Sequence, residues 1–434
     1  MLSYIFKSKV FNNLTWLIFD KIITLLVGVI VIFKVANHYG PVQYGLFQYA
    51  TSLNLIFGII LLLIDSRVVK KKYSKNNISH VIFNTTLTKI FLSIVSLFFG
   101  VILLYFLNQG LNFNKIYIIL LLNNIIINLT FGIQNYFEFV LKSKKIVIAS
   151  NIAIILSAIF QLIFISLDYS IIIIALVIFF ASVVKMIILL FQFYKTFKLS
   201  LISKVDFNLI INFIKESFPL AIAGIAATIY SRIDQIMIGS ILGYEEVGIY
   251  SISVQMISIV SMIIIPFQVS IYPEMINWFK SNLNVYYKNY LMITSITSWI
   301  SILGIALSLF LSYLFFDLIF DEMYSESLYI FQIHIIGVFF MYNAILRSSH
   351  FTLTKTSYIL MISQIIAVFL NIILNFILIS KSGIYGAAFS TVFTQFFSLL
   401  LSNFFFSKSK KIFWIQIKGL NPNYFIYELR RKMN

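Results

Sequence analysis

The chain has 434 residues, 60% of them hydrophobic and 11% charged, with a formal net charge of +17 and no cysteine. Soluble globular domains carry roughly a quarter charged residues, so this composition excludes a soluble globule and makes the chain a polytopic membrane protein. The lack of cysteine excludes a disulfide framework and a thiolate metal site and leaves the redox compartment open.

Apolar segments of about 20 residues give roughly twelve spans, near 14–36, 44–66, 84–107, 116–138, 147–167, 170–194, 217–242, 249–272, 289–316, 328–350, 357–379 and 385–406. The first follows Lys7 and Lys9, as a secretory signal would. It is too long for one, contains Asp20 and Lys21 and lacks a small-residue cleavage site, which predicts a retained span. Lys34, near its outer end, can snorkel to the interface, whereas Asp20 and Lys21 lie deeper, or form an inner-side pair near the headgroups.

Alternate connections are strongly basic: Arg67, Lys70, Lys71, Lys72 and Lys75; then Lys142, Lys144 and Lys145; then Lys195, Lys198, Lys204 and Lys215; then Lys280 and Lys288; then Arg347 and Lys355. The others are acidic or nearly neutral, with Asp168, Glu245, Glu246, Asp317, Asp321, Glu322 and Glu326 against Lys115 and Lys381. The positive-inside rule then predicts both termini in the cytoplasm. The basic excess reports orientation against an anionic leaflet and gives no support to a nucleic-acid partner.

The turn HYGPVQYGLFQYA (38–50) carries Gly40 and Gly45 ahead of a new span, and LGYEEVGIYSIS (242–253) repeats the pattern with Gly243 and Gly248, then Tyr250. Residues 350–379 fall on 138–165 at a similar offset, so the chain contains an internal repeat of roughly two hundred residues. An even number of spans per half predicts parallel repeats, an arrangement used by transporters. The expected layout is an N-terminal helical bundle over 1–194, a cytoplasmic amphipathic linker over 195–216, a C-terminal bundle over 217–406 and a basic cytoplasmic tail over 407–434. In the linker, Asp206 is placed to cap a short helix burying Leu209, Ile210, Phe213 and Ile214, a plain basic connector being the alternative. The tail is basic and aromatic, suited to an anionic surface.

The stretch 216–250, ESFPLAIAGIAATIYSRIDQIMIGSILGYEEVGIY, is long enough to cross a bilayer and holds Arg232 and Asp234 near its midpoint. A mid-bilayer arginine costs about 2.5–3.5 kcal/mol on insertion scales, so such a residue faces a bundle interior or a wet cavity. Two positions apart, the pair points to nearly opposite helix faces, and each side chain needs its own partner. Gly224, Thr228, Gln235 and Gly239 fall at helical spacing around Arg232 and draw a small, polar stripe that reads as a cavity wall.

VANHYGPVQYGLFQYATS (35–52), LIDSRVVKK (63–71), ESFPLAIAGIAATIYSRIDQIMIGSILGYEEVGIYS (216–251) and NIILNFILISKSGIYGAA (371–388) resemble Wzx-type polysaccharide or O-antigen repeat-unit flippases, within the multidrug/oligosaccharidyl-lipid/polysaccharide exporter superfamily. The likeness covers nearly the whole chain, and 216–251 is its most specific part. It implies an all-α membrane fold of about twelve transmembrane helices, in two six-helix bundles around a central cavity that alternates between membrane faces. It implies an undecaprenyl-diphosphate-linked oligosaccharide as substrate, carried from the cytoplasmic to the outer leaflet of a bacterial inner membrane for O-antigen or capsule synthesis. Polysaccharide polymerase and chain-length proteins are implied partners, and no cofactor is.

A head group of sugar hydroxyls and a diphosphate is costly to move through hydrocarbon unpaired. Polar sets at helical spacing are candidates to meet it: Asn124, Asn128 and Asn135; Ser251, Gln255 and Ser258; Gln364, Asn371 and Asn375; Thr391, Gln395, Ser398 and Ser402. Singly, each also reads as an interhelical packing hydrogen bond. The cations within spans are Lys21, Lys89, Lys185 and Arg232; Arg232, as a bidentate fork, and Lys21 are the first choices for the diphosphate, with Lys89 and Lys185 the second, since both can snorkel to the interface. Asp20 and Asp234 are candidates to pair with these cations or to take up a coupling ion, and Asp65 with Arg67 reads as a gate pair or an end-of-helix orientation signal. A drug exporter of the same superfamily would want carboxylates to dominate the lumen, and here cations at least match them. A polymerase or membrane glycosyltransferase would want large outer loops, to which only DLIFDEMYSESL (317–328) comes near, and lipid II flippases usually have more spans. His38, His80, His334 and His350 are scattered without metal-ligand spacing.

Overall fold

Hydrocarbon offers no hydrogen-bond partner to a backbone amide, so long apolar runs satisfy their own backbone as helices. In the computed structural model, which describes residues 9–74, 77–197, 202–262 and 264–424, every regular element is helical. In chain order these are α1 (Lys9–Phe57), α2 (Ser66–Tyr73), α3 (Ile78–Leu107), α4 (Leu111–Asn128), α5 (Phe131–Phe139), α6 (Ser143–Ser166), α7 (Ile172–Phe197) and α8 (Phe207–Ile241). They continue as α9 (Tyr244–Met262), α10 (Ile264–Ser281), α11 (Leu283–Ile319), α12 (Ser325–Asn343), α13 (Arg347–Leu353), α14 (Tyr358–Phe396), α15 (Ser402–Phe405) and α16 (Lys410–Lys418). Among the described residues, 7 helices are long and apolar enough to cross a membrane, or up to 8 with the bent pair Phe207–Ile222 and Gly224–Ile241. α1 breaks at Gly40 and α14 at Ser382 and Gly383. Divided there, the described helices supply a segment for each expected span. The protein is an all-α multi-pass membrane protein.

The chain forms two compact units, Met1–Thr228 and Ile229–Asn434. The internal repeat shows in their backbones. Gly40 at φ 69° and Gly243 at φ 106° both adopt the left-handed region open to glycine, at the two turns the sequence matched. The second match shows too. Leu141 and Lys355 both have positive φ, and each precedes a residue whose N–H closes a wide turn, Lys142 onto the Phe137 carbonyl and Thr356 onto that of Phe351, each at 2.8 Å.

In the first unit the core gathers Val69, Val81, Phe137, Leu189, Phe193 and Phe213, with Tyr136 edge-on to Phe197 at 4.9 Å between ring centroids. Phe91, Phe98 and Tyr105 recur along one exposed stripe of α3, the surface that acyl chains meet. The expected cap forms: Asp206 Oδ1 accepts from the Leu209 N–H at 3.0 Å, and Leu209 and Phe213 are buried. The helix it starts does not end before the span. No glycine or turn signal interrupts 207–218, so α8 runs from Phe207 to Ile241. The approach to this cap is pinned to α3. His80 meets Ser203 at 3.0 Å and Asp206 at 3.1 Å, while Asn84 donates to the Lys204 carbonyl at 3.0 Å and accepts from the Asp206 N–H at 2.8 Å. Residues 198–201 of the expected linker and 425–434 of the expected tail lie outside the described residues.

In the second unit one core cluster holds Met275, Tyr286, Tyr290, Ile293, Leu346 and Ile412, and another holds Ile264, Phe331, Ile335, Val338 and Tyr342.

Candidate functional site

Charge and amide groups within spans must be neutralised or hydrogen-bonded, so their partners reveal what each one does. In the second unit, α8 presents Arg232 and Asp234 to different neighbours, as their spacing requires. Arg232 Nη1 donates to Gln235 Oε1 at 3.1 Å, and Gln235 Nε2 donates across to Ser251 Oγ on α9 at 3.1 Å. The polar stripe around Arg232 is thus continued into a second helix.

Asp234 is buried, and its Oδ2 accepts from Tyr250 Oη at 2.5 Å. Tyr250 Oη lies 3.1 Å from His334 Nε2, and His334 Nδ1 lies 3.0 Å from Ser253 Oγ. The donors follow from counting protons. The Tyr250 hydroxyl gives its one hydrogen to the carboxyl, so its oxygen accepts from His334 Nε2–H, and Nδ1 accepts from Ser253. That fixes a neutral imidazole tautomer and a directed chain Ser253, His334, Tyr250, Asp234 joining α8, α9 and α12. Such a chain is satisfied end to end, and each of its hydrogen bonds polarises the next. Nearby on the chain, Tyr230 Oη ties α8 to α14 by donating to the Thr391 carbonyl at 3.2 Å. On α14, Asn375 Nδ2 donates to Asn371 Oδ1 at 3.1 Å, while Asn371 Nδ2 and Asn375 Oδ1 are buried with no hydrogen-bond partner among the described residues. Gln255 is half-buried on α9.

The second unit also holds a cation that the sequence reading placed with the orientation charges. Arg347 is 2% exposed; its Nε donates to Asn403 Oδ1 at 2.8 Å, and its Nη2 donates to Ser363 Oγ at 3.0 Å and Ser402 Oγ at 3.1 Å. All three partners are neutral. Ser402, a candidate polar position in the last span, is the one sequence signal toward this cluster.

In the first unit, Lys89 is 5% exposed and its Nζ donates to the Leu61 carbonyl at 2.5 Å, above the Phe131 ring at 4.1 Å. That carbonyl lies in the tight 3-10 stretch Gly58–Leu63, which follows α1 and leaves α-helical carbonyls without their usual partners. Ser96 Oγ serves the same end of α1, donating to the Phe57 carbonyl at 2.9 Å. Asn124 Nδ2 donates to Asn54 Oδ1 at 2.9 Å, and Asn128 Nδ2 to Ser93 Oγ at 3.2 Å, both across helices. Asp20 is half-buried with Oδ1 lacking a hydrogen-bond partner among the described residues, Lys21 is exposed, and Lys185 on α7 is half-buried within electrostatic reach of both.

Asp65 and Arg67 meet each other: Arg67 Nε and Nη2 donate to the two carboxylate oxygens at 2.9 and 2.8 Å, and the Arg67 N–H caps onto Oδ1 at 2.7 Å. The start of α8 is stitched to the same corner: Ser217 Oγ accepts from the Asp65 N–H at 3.0 Å, and Lys72 Nζ meets Glu216 at 2.5 Å. Lys70 pairs with Glu138. Among the described residues, no three His, Asp or Glu side chains gather to hold a metal ion.

A sequence profile for a family described as "Polysaccharide biosynthesis protein" matches residues 10–278. Among solved structures, the chain is similar to a multidrug resistance MATE family transporter of the MOP superfamily in an inward-facing conformation, at TM-score 0.68 and 13% identity, covering 94% of each chain. It is similar to the lipid II flippase MurJ in an inward closed conformation at TM-score 0.67 and 20% identity, covering 95% of this chain and 93% of that one. The Vibrio cholerae MATE transporter VcmN shares the fold at TM-score 0.55 and 12% identity, over 96% and 99% of the two chains. Among curated proteins, none matches.

Proposed function

We propose, from the premise that this chain belongs to the polysaccharide biosynthesis protein family, that it turns lipid-linked oligosaccharide from one membrane leaflet to the other. The family match over residues 10–278 carries this reading, because the fold is shared by flippases and multidrug transporters alike. In its finer form the substrate is an undecaprenyl-diphosphate-linked repeat unit, moved outward across a bacterial inner membrane by alternating access for O-antigen or capsule, with both termini cytoplasmic.

The residues support such a task. Sugar hydroxyls want amide and hydroxyl partners, and Asn124, Asn128, Gln255 and Asn371 supply such groups at the span positions singled out. A diphosphate wants cations, for which Arg232, Lys21 and Lys185 are the proposed contacts; Lys89 already holds a backbone carbonyl. Asp20, and Asp234 at the end of its hydroxyl–imidazole chain, are the proposed sites of ion coupling. Asp65 with Arg67 is the proposed gate pair. No glycine loop followed by lysine for a nucleotide is present in the sequence. Moving negative charge out of a negative interior is favourable by about 2.3 kcal/mol per charge per 100 mV, so voltage can drive the step.

The test is direct. The full chain is reconstituted into vesicles holding a fluorescent polyprenyl-diphosphate oligosaccharide, and the fraction reached by an external lectin is followed with time. Flipping faster than in empty vesicles is the expected result. Flipping no faster than that, with uptake of a cationic dye instead, would move the chain to the multidrug reading.

A further inference from the structure

The last span ends with α15 at Phe405, and after residues 406–409 the chain enters α16. Four residues reach at most about 14 Å, so this helix stays close to the end of the span. Its two faces are unlike. On one, Ile412 and Ile415 join the Tyr286 and Tyr290 core, and Gln416, 1% exposed, donates from Nε2 to the Leu399 carbonyl at 3.1 Å. Gln416 Oε1 accepts from Asn403 Nδ2 at 2.8 Å, and Asn403 is the residue that receives Arg347 Nε. Leu399 sits in the π-helical turn Phe397–Leu401, whose wider spacing leaves a carbonyl for a side chain to take. Beyond the helix, Ser295 Oγ and Trp299 Nε1 donate to the carbonyls of Asn421 and Leu420 at 3.1 and 3.2 Å. α16 is therefore a built part of the second unit.

The opposite face is basic. Lys408, Lys410, Lys411 and Lys418 are all exposed, beside Trp414 at 49% exposure. Three of the ammonium groups lie over rings: Lys408 over Tyr358 at 5.9 Å, Lys410 over Phe404 at 4.9 Å and Lys411 over Tyr287 at 3.3 Å. None of the four enters an ion pair among the described residues, Glu274 on the neighbouring α10 included. Along the sequence no acidic residue lies between Glu326 and Glu428. The fold has thus locked a helix in place, with Lys410, Lys411 and Lys418 on its open side and Lys408 just before it, and among the described residues no carboxylate pairs with them.

We propose that this face of α16 binds the phosphate headgroups of anionic phospholipids in the leaflet beside the end of the last span. The charge is complementary, each lysine at an anionic surface strengthening attachment about fivefold. The exposed indole suits the headgroup layer, where amphipathic rings collect. Headgroup binding then bears on the inner face of the same helix, where Gln416 holds the π-helical turn and the Asn403–Arg347 contact. The expected consequence is that anionic lipid stabilises the second unit. The inference stands apart from the proposed substrate, since it concerns membrane lipid and not cargo.

The experiment compares the thermal midpoint of the full chain in phosphatidylcholine nanodiscs with and without phosphatidylglycerol. The native chain should gain stability with phosphatidylglycerol, and Lys408→Gln/Lys410→Gln/Lys411→Gln/Lys418→Gln should lose more than half of that gain. Lys144→Gln/Lys145→Gln, on a basic connection of the first unit, should keep it, as should the fourfold Lys→Arg variant. A second readout guards against a variant that folds poorly: a dye on Ser407→Cys in the otherwise cysteine-free chain should be quenched more by spin-labelled phosphatidylglycerol than by labelled phosphatidylcholine. A gain undiminished in the Gln variant, an equal loss in the connector control, equal quenching by the two lipids, or full replacement of the lipid by inorganic phosphate would each overturn the proposal.

Discussion

Removing the Tyr250 hydroxyl by Tyr250→Phe tests whether the Asp234 chain holds the second unit together. The change deletes a 2.5 Å bond to Asp234 and leaves His334 Nε2 without its acceptor, with ring volume nearly unchanged. Interhelical hydrogen bonds in membrane proteins average about 0.6 kcal/mol and reach about 1.7 kcal/mol. This one is short, made to a carboxyl group and buried at both ends, so the coupling between Tyr250→Phe and Asp234→Asn should fall near the top of that range, about 1.5 kcal/mol. The single mutant should cost more than the coupling, about 2–3 kcal/mol, because it orphans buried groups on both sides of the hydroxyl. The assay is a double-mutant cycle by reversible unfolding in mixed micelles. Coupling below about 0.3 kcal/mol, the limit within which independent sites add, would refute the reasoning.

The same logic applies elsewhere. Arg347→Ala should cost about 3 kcal/mol of unfolding stability, and Arg347→Met clearly less, because it keeps the volume and removes a guanidinium that no carboxylate compensates; equal losses would contradict this. Burial, then Glu326 and Glu245, raise the Glu246 carboxyl above its ordinary value of 4.5. A raised folded-state value means stability present below 4.5 and lost as pH rises through the shifted value, so Glu246→Gln should raise the thermal midpoint at neutral pH, with the difference closing near pH 4. A Cβ on Gly386 would lie 2.2 Å from the Leu378 carbonyl oxygen, whereas one on Gly304 would meet nothing within 4 Å. Gly386→Ala should therefore cost at least about 2–3 kcal/mol, and Gly304→Ala should be neutral or stabilising by about 0.5–1 kcal/mol, both read by chemical denaturation.

The spans, the repeat and the Arg232–Gln235 contact were legible because helical period and turn chemistry are local. Gly40 and Gly243 stood out as matched turn glycines, and the backbone shows why only glycine sits easily there. Asp234 was legible as a group needing a partner, but the partner was not. Tyr250 lies 16 residues on, in the next helix, and His334 84 residues beyond that on α12, and no spacing rule spans a helix packing. Arg347 was hidden for a related reason. In sequence it is one more basic residue at a span end, and only the convergence of Ser363 on α14 with Ser402 and Asn403 on α15 gives it a different role. Lys89 reads as a second-choice cation for phosphate or a snorkelling lysine, and nothing in GIILLL announces the tight 3-10 turn whose carbonyl it meets.

What each buried cation touches also sorts it by function. Lys89 and Arg347 are almost fully buried on backbone and neutral side-chain acceptors, so Lys89→Met and Arg347→Ala should lower the thermal midpoint by several degrees before any transport step is examined. Arg232 is half-buried, and its contact with Gln235 is made along its own helix. Arg232→Gln keeps a hydrogen-bonding side chain on the same helix face and should shift the midpoint by no more than about 2 °C. If the guanidinium meets the diphosphate during flipping, the loss of a charge-assisted hydrogen bond of about 1.5–3 kcal/mol slows lectin-detected flipping about ten- to a hundredfold. A midpoint that falls as far as that of Lys89→Met would make Arg232 a structural tie like the other two, and a flipping rate equal to the native one would take it out of the transport step.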